Sequence, residues 1–538
     1  MKYIKNISVI ILTMLLWQGC EDSSFLNTKP LNAITSDAVF SDPELARASL
    51  LNIYYYVPKV FSRGTGVPLD LNTRDAGHSF TWEMVNQLKN NNYNAANLEI
   101  TLQDFWHKNY SYVRQTNMFI QGVENSNFDS ETKKVLLSEA YFLRGVFYLD
   151  MYRFFGGVPI IETPQDINDP ASFNVERNTA TETVNFIIRQ FELAADYLPK
   201  EWTGRDKGRA EVGAAYGMAA RVCLHAASLT KDRTLFEKAA GFAWKVIELN
   251  KYSLYPDFNK LFLTKDGNNE YIFYYNYIAS NYDPWARFFL LNAPLSAGAW
   301  GGVLPSQNLV DEFEMIDGKL PSESQLYDEQ NPYLNRDPRF YATFYYQGTT
   351  FKNVPFEFYI GGKDYVISGF LTSGYYLKKG IDESVANYYD YNGNSTSMYD
   401  PILRYADVLL MYAEAQNELG NIEDARIYIN QVRQRVEMPE IPQGLTQDEM
   451  RIKIRHERHI ELCFEESRFH DVRRWGIAAE VCTGPVWGQK ITQKQDGTLV
   501  YERQKIDQDR VFDSKYALFP IPQSEINKNP KLTQNPGY

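Results

Sequence analysis

The sequence predicts a mainly α-helical protein, a scaffold of tetratricopeptide-like helix pairs split by a large, irregular, aromatic-rich insertion. Three stretches predict it. Within residues 403–435, Ala413 is followed by Ala425, Ile429 and Val432 across a Gly420-Asn421 turn, the small, small, large-apolar spacing of a tetratricopeptide hairpin. Residues 210–229, which contain GAAYGMAARVCLHAA, supply the small side chains that let helices approach closely, and residues 235–249 read as their partner. Between residues 252 and 400 the helical period lapses, and ten aromatic residues fall between Tyr271 and Trp300.

A chain of 538 residues, 44% hydrophobic and 23% charged, has enough apolar material for a sizeable core. Its net charge of −12 argues against nucleic acid as a partner, because phosphates require a basic patch. Aromatic residues are in excess at 15%, with 38 Tyr and 9 Trp. Such rings suit a surface where they are partly exposed and used in recognition, although a large helical core also absorbs them.

At the N-terminus, Lys2 and Lys5 precede an apolar run from Ile7 to Trp17, too short to span a bilayer but suited to a signal peptide, expected over residues 1–19. Gly19-Cys20 follows, in an arrangement that resembles a bacterial lipobox, with Trp17 and Gln18 departing from its usual Leu and small residue. Cys20 is therefore the expected lipidation site and residues 20–36 the tether. Acyl chains at about 0.8 kcal/mol per buried CH₂ would anchor the chain without a membrane-spanning helix. The remaining cysteines, Cys223, Cys463 and Cys482, are odd in number and imply no disulfide framework; Cys223 and Cys463 sit in apolar helical patterns and read as core.

Further along, Ser41-Asp-Pro-Glu supplies a cap, an early Pro and an acidic first turn for a helix reaching Tyr56. Residues 57–101 form a long loop region, rich in Gly, Asn, Thr and Asp, that carries Arg74, Asp75, His78, Trp82 and Tyr93; a loop of that length inside a compact domain is usually functional. Helical period returns over 102–123, with Trp106, Tyr110, Val113 and Asn117 on one face and Trp106 expected in the core. It continues over 131–155, where Gly156-Gly157 and Pro159 end the helix, and over 181–198.

Residues 451–476, RIKIRHERHIELCFEESRFHDVRRWG, read as one helical run. Its apolar positions Ile452, Ile460, Cys463, Phe464, Val472 and Trp475 are wrapped in charges of both signs, among them Arg455, Glu457, Arg458, Glu461, Glu465, Arg468, Asp471, Arg473 and Arg474. Charge that dense either faces water or locks helices together, and we read it as a lock. A metal site is not expected: the two histidines of a zinc-binding helix stand four apart, whereas His456 and His459 stand three apart, and Arg451, Lys453, Arg455 and Arg458 would repel a cation.

The same run resembles the ER-x-x-EL-x-FE-x-x-R-x-x-D-x-RRWG block of SusD/RagB proteins, glycan-binding lipoproteins of the Bacteroidetes outer membrane. Other blocks resemble that family in the expected order: the helix of Trp106, Tyr110 and Asn117, then EAYFLRGVFYLDMYRFFGGVPI, GAWGGVLPSQNLVDEFEMIDGK, RDPRFYATFYY and the closing YALFPIPQSEINKNPKLTQNPGY. Glu21 and Asp22 resemble the acidic surface-export signal of such lipoproteins. The resemblance implies one SusD-like domain over residues 37–538, with helical repeats about 102–250 and 403–480, ligand-side loops 57–101 and the insertion 252–400. It also implies capture of an oligosaccharide or polysaccharide at the cell surface, and a SusC-like TonB-dependent transporter that the protein caps.

The residue chemistry is compatible with that expectation, because a sugar offers an apolar C–H face to an aromatic ring and a rim of hydroxyls to Asn, Asp and Arg. A ring that removes roughly 50 Å² of apolar surface from water contributes about 1 kcal/mol. In the family, glycan contacts come mainly from the loop after the first helix and from the insertion. The candidate ligand residues are accordingly Arg74, Asp75, Trp82 and Tyr93 from the first and Tyr282, Trp285 and Trp300 from the second. A surface glycoside hydrolase is the rival reading, but its paired carboxylates cannot be picked from 67 acidic residues, and no nucleophile elbow or phosphate loop is present. A protein-binding tetratricopeptide scaffold is the other. We expect a binding protein with no catalytic residues and no cofactor.

Overall fold

The computed structural model describes residues 36–60, 68–98, 100–166, 168–276, 284–367, 370–384 and 399–538. It is mainly helical. The helices used below are α1 (Pro43–Tyr54), α2 (Glu83–Asn90), α3 (Ile100–Asn125), α4 (Ser130–Phe155), α5 (Ala180–Ala195), α6 (Val212–Thr230), α7 (Arg233–Glu248), α8 (Pro284–Asn292), α9 (Tyr405–Glu418), α10 (Ile422–Arg435), α11 (Gln447–Glu461) and α12 (Ser467–Arg474).

Helices α3 to α7 pack each on the next, and α7 then packs on α9, so the two helical blocks form one stack with the insertion looped out between them. The small residues of α6 permit this closeness: Leu403 occupies the place a side chain at Gly217 would take, and Tyr252 does the same at Gly213. Helix α1 starts as its sequence dictates, with Asp42 accepting a hydrogen bond from the Glu44 N–H and Pro43 in the first turn. Helix α4 stops at Gly156, whose φ of 75° suits glycine. Gly157 lies so close to the backbone of Asn178 and Thr179 that no side chain fits there.

The Trp106 helix clasps the loop that follows α4. Trp106 is buried, Tyr110 donates to the Pro159 carbonyl (2.8 Å), Asn117 donates to the Ile161 carbonyl (2.8 Å), and Arg144 donates to Asn117 (2.9 Å). Two stretches that read as separate helices are thus one mechanical unit.

The strands are short and pair two by two: β1 (Ala76–His78) with β3 (Val303–Pro305), and β2 (Tyr271–Asn276) with β4 (Tyr399–Arg404), both antiparallel. The loop region 57–101 is therefore not wholly irregular, since it contains β1 and α2.

The run 451–476 is not one helix. It breaks after Glu461, where Phe464 (φ 61°) and Glu466 (φ 60°) turn the chain before α12 begins. The turn lets Glu461, at the end of α11, and Glu465, within the turn itself, converge on Arg404 at 2.6 and 2.7 Å. Ile452 is 66% exposed and lies off the apolar stripe, where Ile454 takes its place.

The charges form a lock and not a solvated face. Arg404 also pairs with Glu270 (2.6 Å), Arg339 with Asp337, Glu457 and Glu461, Arg433 with Glu314 and Glu457, and Lys379 with Glu465. A second arm runs from Asp407 through Arg458 to Asp471, Arg474 and Glu414, and Glu414 also accepts from the Trp475 indole (2.8 Å). These groups are buried. Each charge has at least one opposite partner, which offsets the desolvation that would otherwise expel it. His456 and His459 are drawn into this structure as well, His456 against the Glu312 carbonyl and His459 against Asp75.

Candidate aromatic binding surface

The pairing of β1 with β3 decides the geometry of the candidate site. Ala76, Gly77 and His78 lie opposite Pro305, Leu304 and Val303, and beyond the ladder Ser79 donates its N–H to the Gly302 carbonyl (2.9 Å) and its hydroxyl to that of Gly301 (3.1 Å). This registers residues 78–82 against residues 300–302. The second strip is itself pinned: the N–H groups of Trp300, Gly301 and Gly302 donate to the carbonyls of Leu290, Ala293 and Leu291 at the end of α8. Those are carbonyls that a helix terminus leaves without a partner in its own ladder.

An aromatic cluster results. Phe80 and Trp82 stack at 4.9 Å with an interplanar angle of 19°, and Trp300 meets both edge to face, at 5.5 Å and 86° from Phe80 and 6.3 Å and 75° from Trp82. Trp82 is 36% exposed, while Phe80 and Trp300 are half-buried. Side chains alternate along an extended segment, which places His78, Phe80 and Trp82 on one side. The structure thus unites Trp82 and Trp300, two residues drawn from the two predicted stretches.

The other predicted residues divide. Tyr93 is 3% exposed and packs edge to face on Tyr516 and Phe519, so it belongs to the core and offers no platform; burial pushes its phenol above the ordinary range. Asp75 is likewise buried, bonded to His459 at 2.9 Å with Arg468 at 4.0 Å. Burial opposes its ionised form, yet the charge and hydrogen bond of His459, with help from Arg468 and Thr73, hold the carboxyl below its usual value. Arg74 is half-buried and donates to the Val481 carbonyl (2.8 Å), which makes it a pin between distant segments. Their loop-like surroundings in sequence said nothing about this burial. Tyr282 and Cys20 lie outside the described residues. Trp285 falls within α8, and its side chain also lies outside them.

Phe80 is a candidate residue of this cluster that the sequence reading missed. The alternation Phe80-x-Trp82 directly after a short strand is the signal that could have found it. Two large grooves among the described residues lie elsewhere. One of about 750 Å³ is walled by Phe40, Asn52, Met118 and Gln115, and one of about 820 Å³ by Tyr110, Arg114, Phe173 and Glu525. Neither is lined by Trp82.

Known proteins resemble this chain along its length. Residues 258–538 match the family described as the SusD family, and residues 25–224 match one described as starch-binding and associating with the outer membrane. SusD-like protein P2 of Formosa agariphila is 25% identical, with all of both chains covered. A SusD-like protein from Bacteroides fragilis superposes with a TM-score of 0.80 at 29% identity, covering 95% of this chain and 100% of that one. A laminarin-binding SusD-like protein superposes with a TM-score of 0.68 at 21% identity, covering 93% and 100%. The SusD match spans more than half of the chain, and the solved fold spans nearly all of it: the protein belongs to the SusD family.

Proposed function

We propose that the protein is a lipid-anchored, surface-exposed glycan-binding protein of the outer membrane, which captures an oligosaccharide or polysaccharide without cleaving it and passes it to a SusC-like TonB-dependent transporter. The cluster of Phe80, Trp82 and Trp300 carries this reading, since it presents partly exposed ring faces that a sugar's C–H face can cover. Two or three such contacts supply about 2–3 kcal/mol, short of the roughly 4 kcal/mol of millimolar binding, so hydrogen bonds to the sugar hydroxyls must supply the rest and the affinity should be weak, which suits capture and release. The family match supports it, as do relatives whose names describe carbohydrate binding and laminarin binding. Among the described residues no helix is long and apolar enough to cross a membrane, so attachment in this reading rests on Cys20.

Affinity gel electrophoresis against laminarin, soluble starch, xylan and galactomannan tests the core of it. The protein should be retarded by at least one of them and release no reducing ends from it. Unretarded migration in all four, or liberated reducing ends, would overturn the reading. Co-purification with a TonB-dependent transporter in mild detergent tests the delivery step.

A further inference from the structure

His78 closes β1 at the point where the ladder ends and the aromatic cluster begins. Ser79 still pairs with Gly301 and Gly302, but the next N–H, that of Phe80, turns back to the imidazole of His78 at 3.0 Å. A backbone N–H can only donate, so Nδ1 is the acceptor and the ring proton sits on Nε2. The ring is 7% exposed and lies 5.0 Å from the Phe80 ring, tilted by 59°. Burial, with Lys89 adding to it, pushes the imidazole down to about 3, which keeps that acceptor neutral in any ordinary medium.

The opposite wall fits the same arrangement. A Cβ at Gly302 would stand 3.1 Å from His78 Nε2 and 3.1 Å from the Phe80 ring, and 2.7 Å from the Leu291 carbonyl oxygen. Both rings therefore rest on bare backbone two residues from Trp300, whose own N–H is fastened to Leu290 at 2.8 Å. His78 touches both strips of the cluster: it bonds the N–H of Phe80, two residues before Trp82, and it lies over Gly302.

We propose that His78 is the positioning residue of the aromatic surface, whose Nδ1, by accepting from Phe80, sets the angle between the Phe80–Trp82 stack and Trp300, and that glycan affinity depends on this acceptor. The proposal rests on the glycan reading given above. It requires no contact between His78 and the sugar, and it separates His78 from a residue that merely fills space, because a side chain of similar bulk without an acceptor should fail where a smaller one with an acceptor succeeds.

The test compares His78→Leu, which keeps bulk and loses the acceptor, with His78→Asn, whose side-chain oxygen can accept from the N–H two residues on, as in an Asx turn. Binding is measured by titration calorimetry with whichever of laminarin, soluble starch, xylan or galactomannan retards the unsubstituted protein, and Trp82→Ala is run alongside. His78→Leu should weaken binding about fivefold or more, the equilibrium cost of one neutral hydrogen bond, and His78→Asn should restore it to within about twofold. A crystal structure of either variant supplies a readout that needs no glycan: the Phe80–Trp82 stack should be displaced from Trp300 in His78→Leu and held in His78→Asn. Unchanged affinity in His78→Leu, or equal loss in both variants, overturns the inference. If Trp82→Ala binds like the unsubstituted protein, the aromatic surface itself is the wrong site, an outcome distinct from failure at His78 alone. Should His78→Leu not fold, the Asn variant decides: loss of binding in a folded His78→Asn protein overturns the proposal.

Discussion

Asp75 and His459 approach to 2.9 Å, and that contact fastens the strand leading into the aromatic cluster to the most heavily charged helix of the protein. Both are buried, so removing the imidazole leaves a carboxylate supported only by Thr73 and by Arg468 at 4.0 Å. His459→Leu is expected to cost on the order of 3 kcal/mol near neutrality, measured by urea unfolding. The folded Asp75 carboxyl titrates below its ordinary value, so the pair's contribution is present above the unfolded value of about 4 and is lost as pH falls through the folded one. The stability gap between the two proteins should therefore narrow below about pH 4. A gap independent of pH would show that the pair is not its source.

How much of this was legible beforehand follows the range of the interactions. Helical period and small-residue spacing are local, and they placed the α6 and α7 pair, the α9 and α10 hairpin, and Trp106 in the core. The lock was legible as charge density, but the break after Glu461 was not, because two residues with positive φ leave no mark on an apolar pattern. The site lay deeper still. Trp82 and Trp300 meet through the β1–β3 pairing, a contact between distant segments that a loop-like composition does not encode, and the same composition made Arg74, Asp75 and Tyr93 look accessible when they bind other parts of the chain.

Glu461 accepts from Arg404 (2.6 Å), Arg435 (2.5 Å) and Arg339 (3.1 Å), with no side-chain exposure. The Glu461→Gln variant would leave three buried guanidiniums short of one charge. A loss of about 3–5 kcal/mol is expected. Because the network is buried, 1 M salt should screen it little, so the loss should be nearly the same in low and high salt. A deficit under about 1 kcal/mol would place this network with surface pairs in energetic terms.

Asp70 presents the opposite case. It is 1% exposed, its carboxylate oxygens have no hydrogen-bond partner among the described residues beyond its own backbone, and burial, followed by the charges of Asp75 and Glu466, raises its carboxyl to about 8. A group protonated in the fold but ionised when unfolded costs stability as pH rises from about 4 towards 8. Asp70→Asn removes that titration. The variant should be more stable than the parent at pH 8, and the advantage should shrink towards pH 5; thermal midpoints at the two values decide it. An advantage that grows on acidification would refute the assignment.

Cys20 is the attachment point that we propose, from Gly19-Cys20 and the short apolar run before it. Cys20→Ala should move the protein from the membrane fraction to the soluble one in fractionated cells, and labelled fatty acid should no longer enter it. Membrane attachment that survives the substitution would remove lipidation at Cys20 as its cause.

Trp82 and Trp106 give a contrast between a ring proposed to bind glycan and a ring buried in the core. Trp82 is 36% exposed and meets Phe80 and Trp300 at the surface, whereas Trp106 is 3% exposed and packs on Tyr110 and Phe155. Truncating a core Trp removes its buried area and leaves a cavity, so Trp106→Ala should lose roughly 3–5 kcal/mol of stability. Trp82→Ala leaves no enclosed cavity, and its thermal midpoint should stay close to the parent's. Glycan affinity should move the other way. Trp82→Ala should lose about 1 kcal/mol of binding free energy, or about fivefold in Kd, while any folded Trp106→Ala protein should keep the parental affinity. A large fall in the midpoint of Trp82→Ala, with affinity unchanged, would return Trp82 to the core and leave the aromatic surface without its most exposed ring.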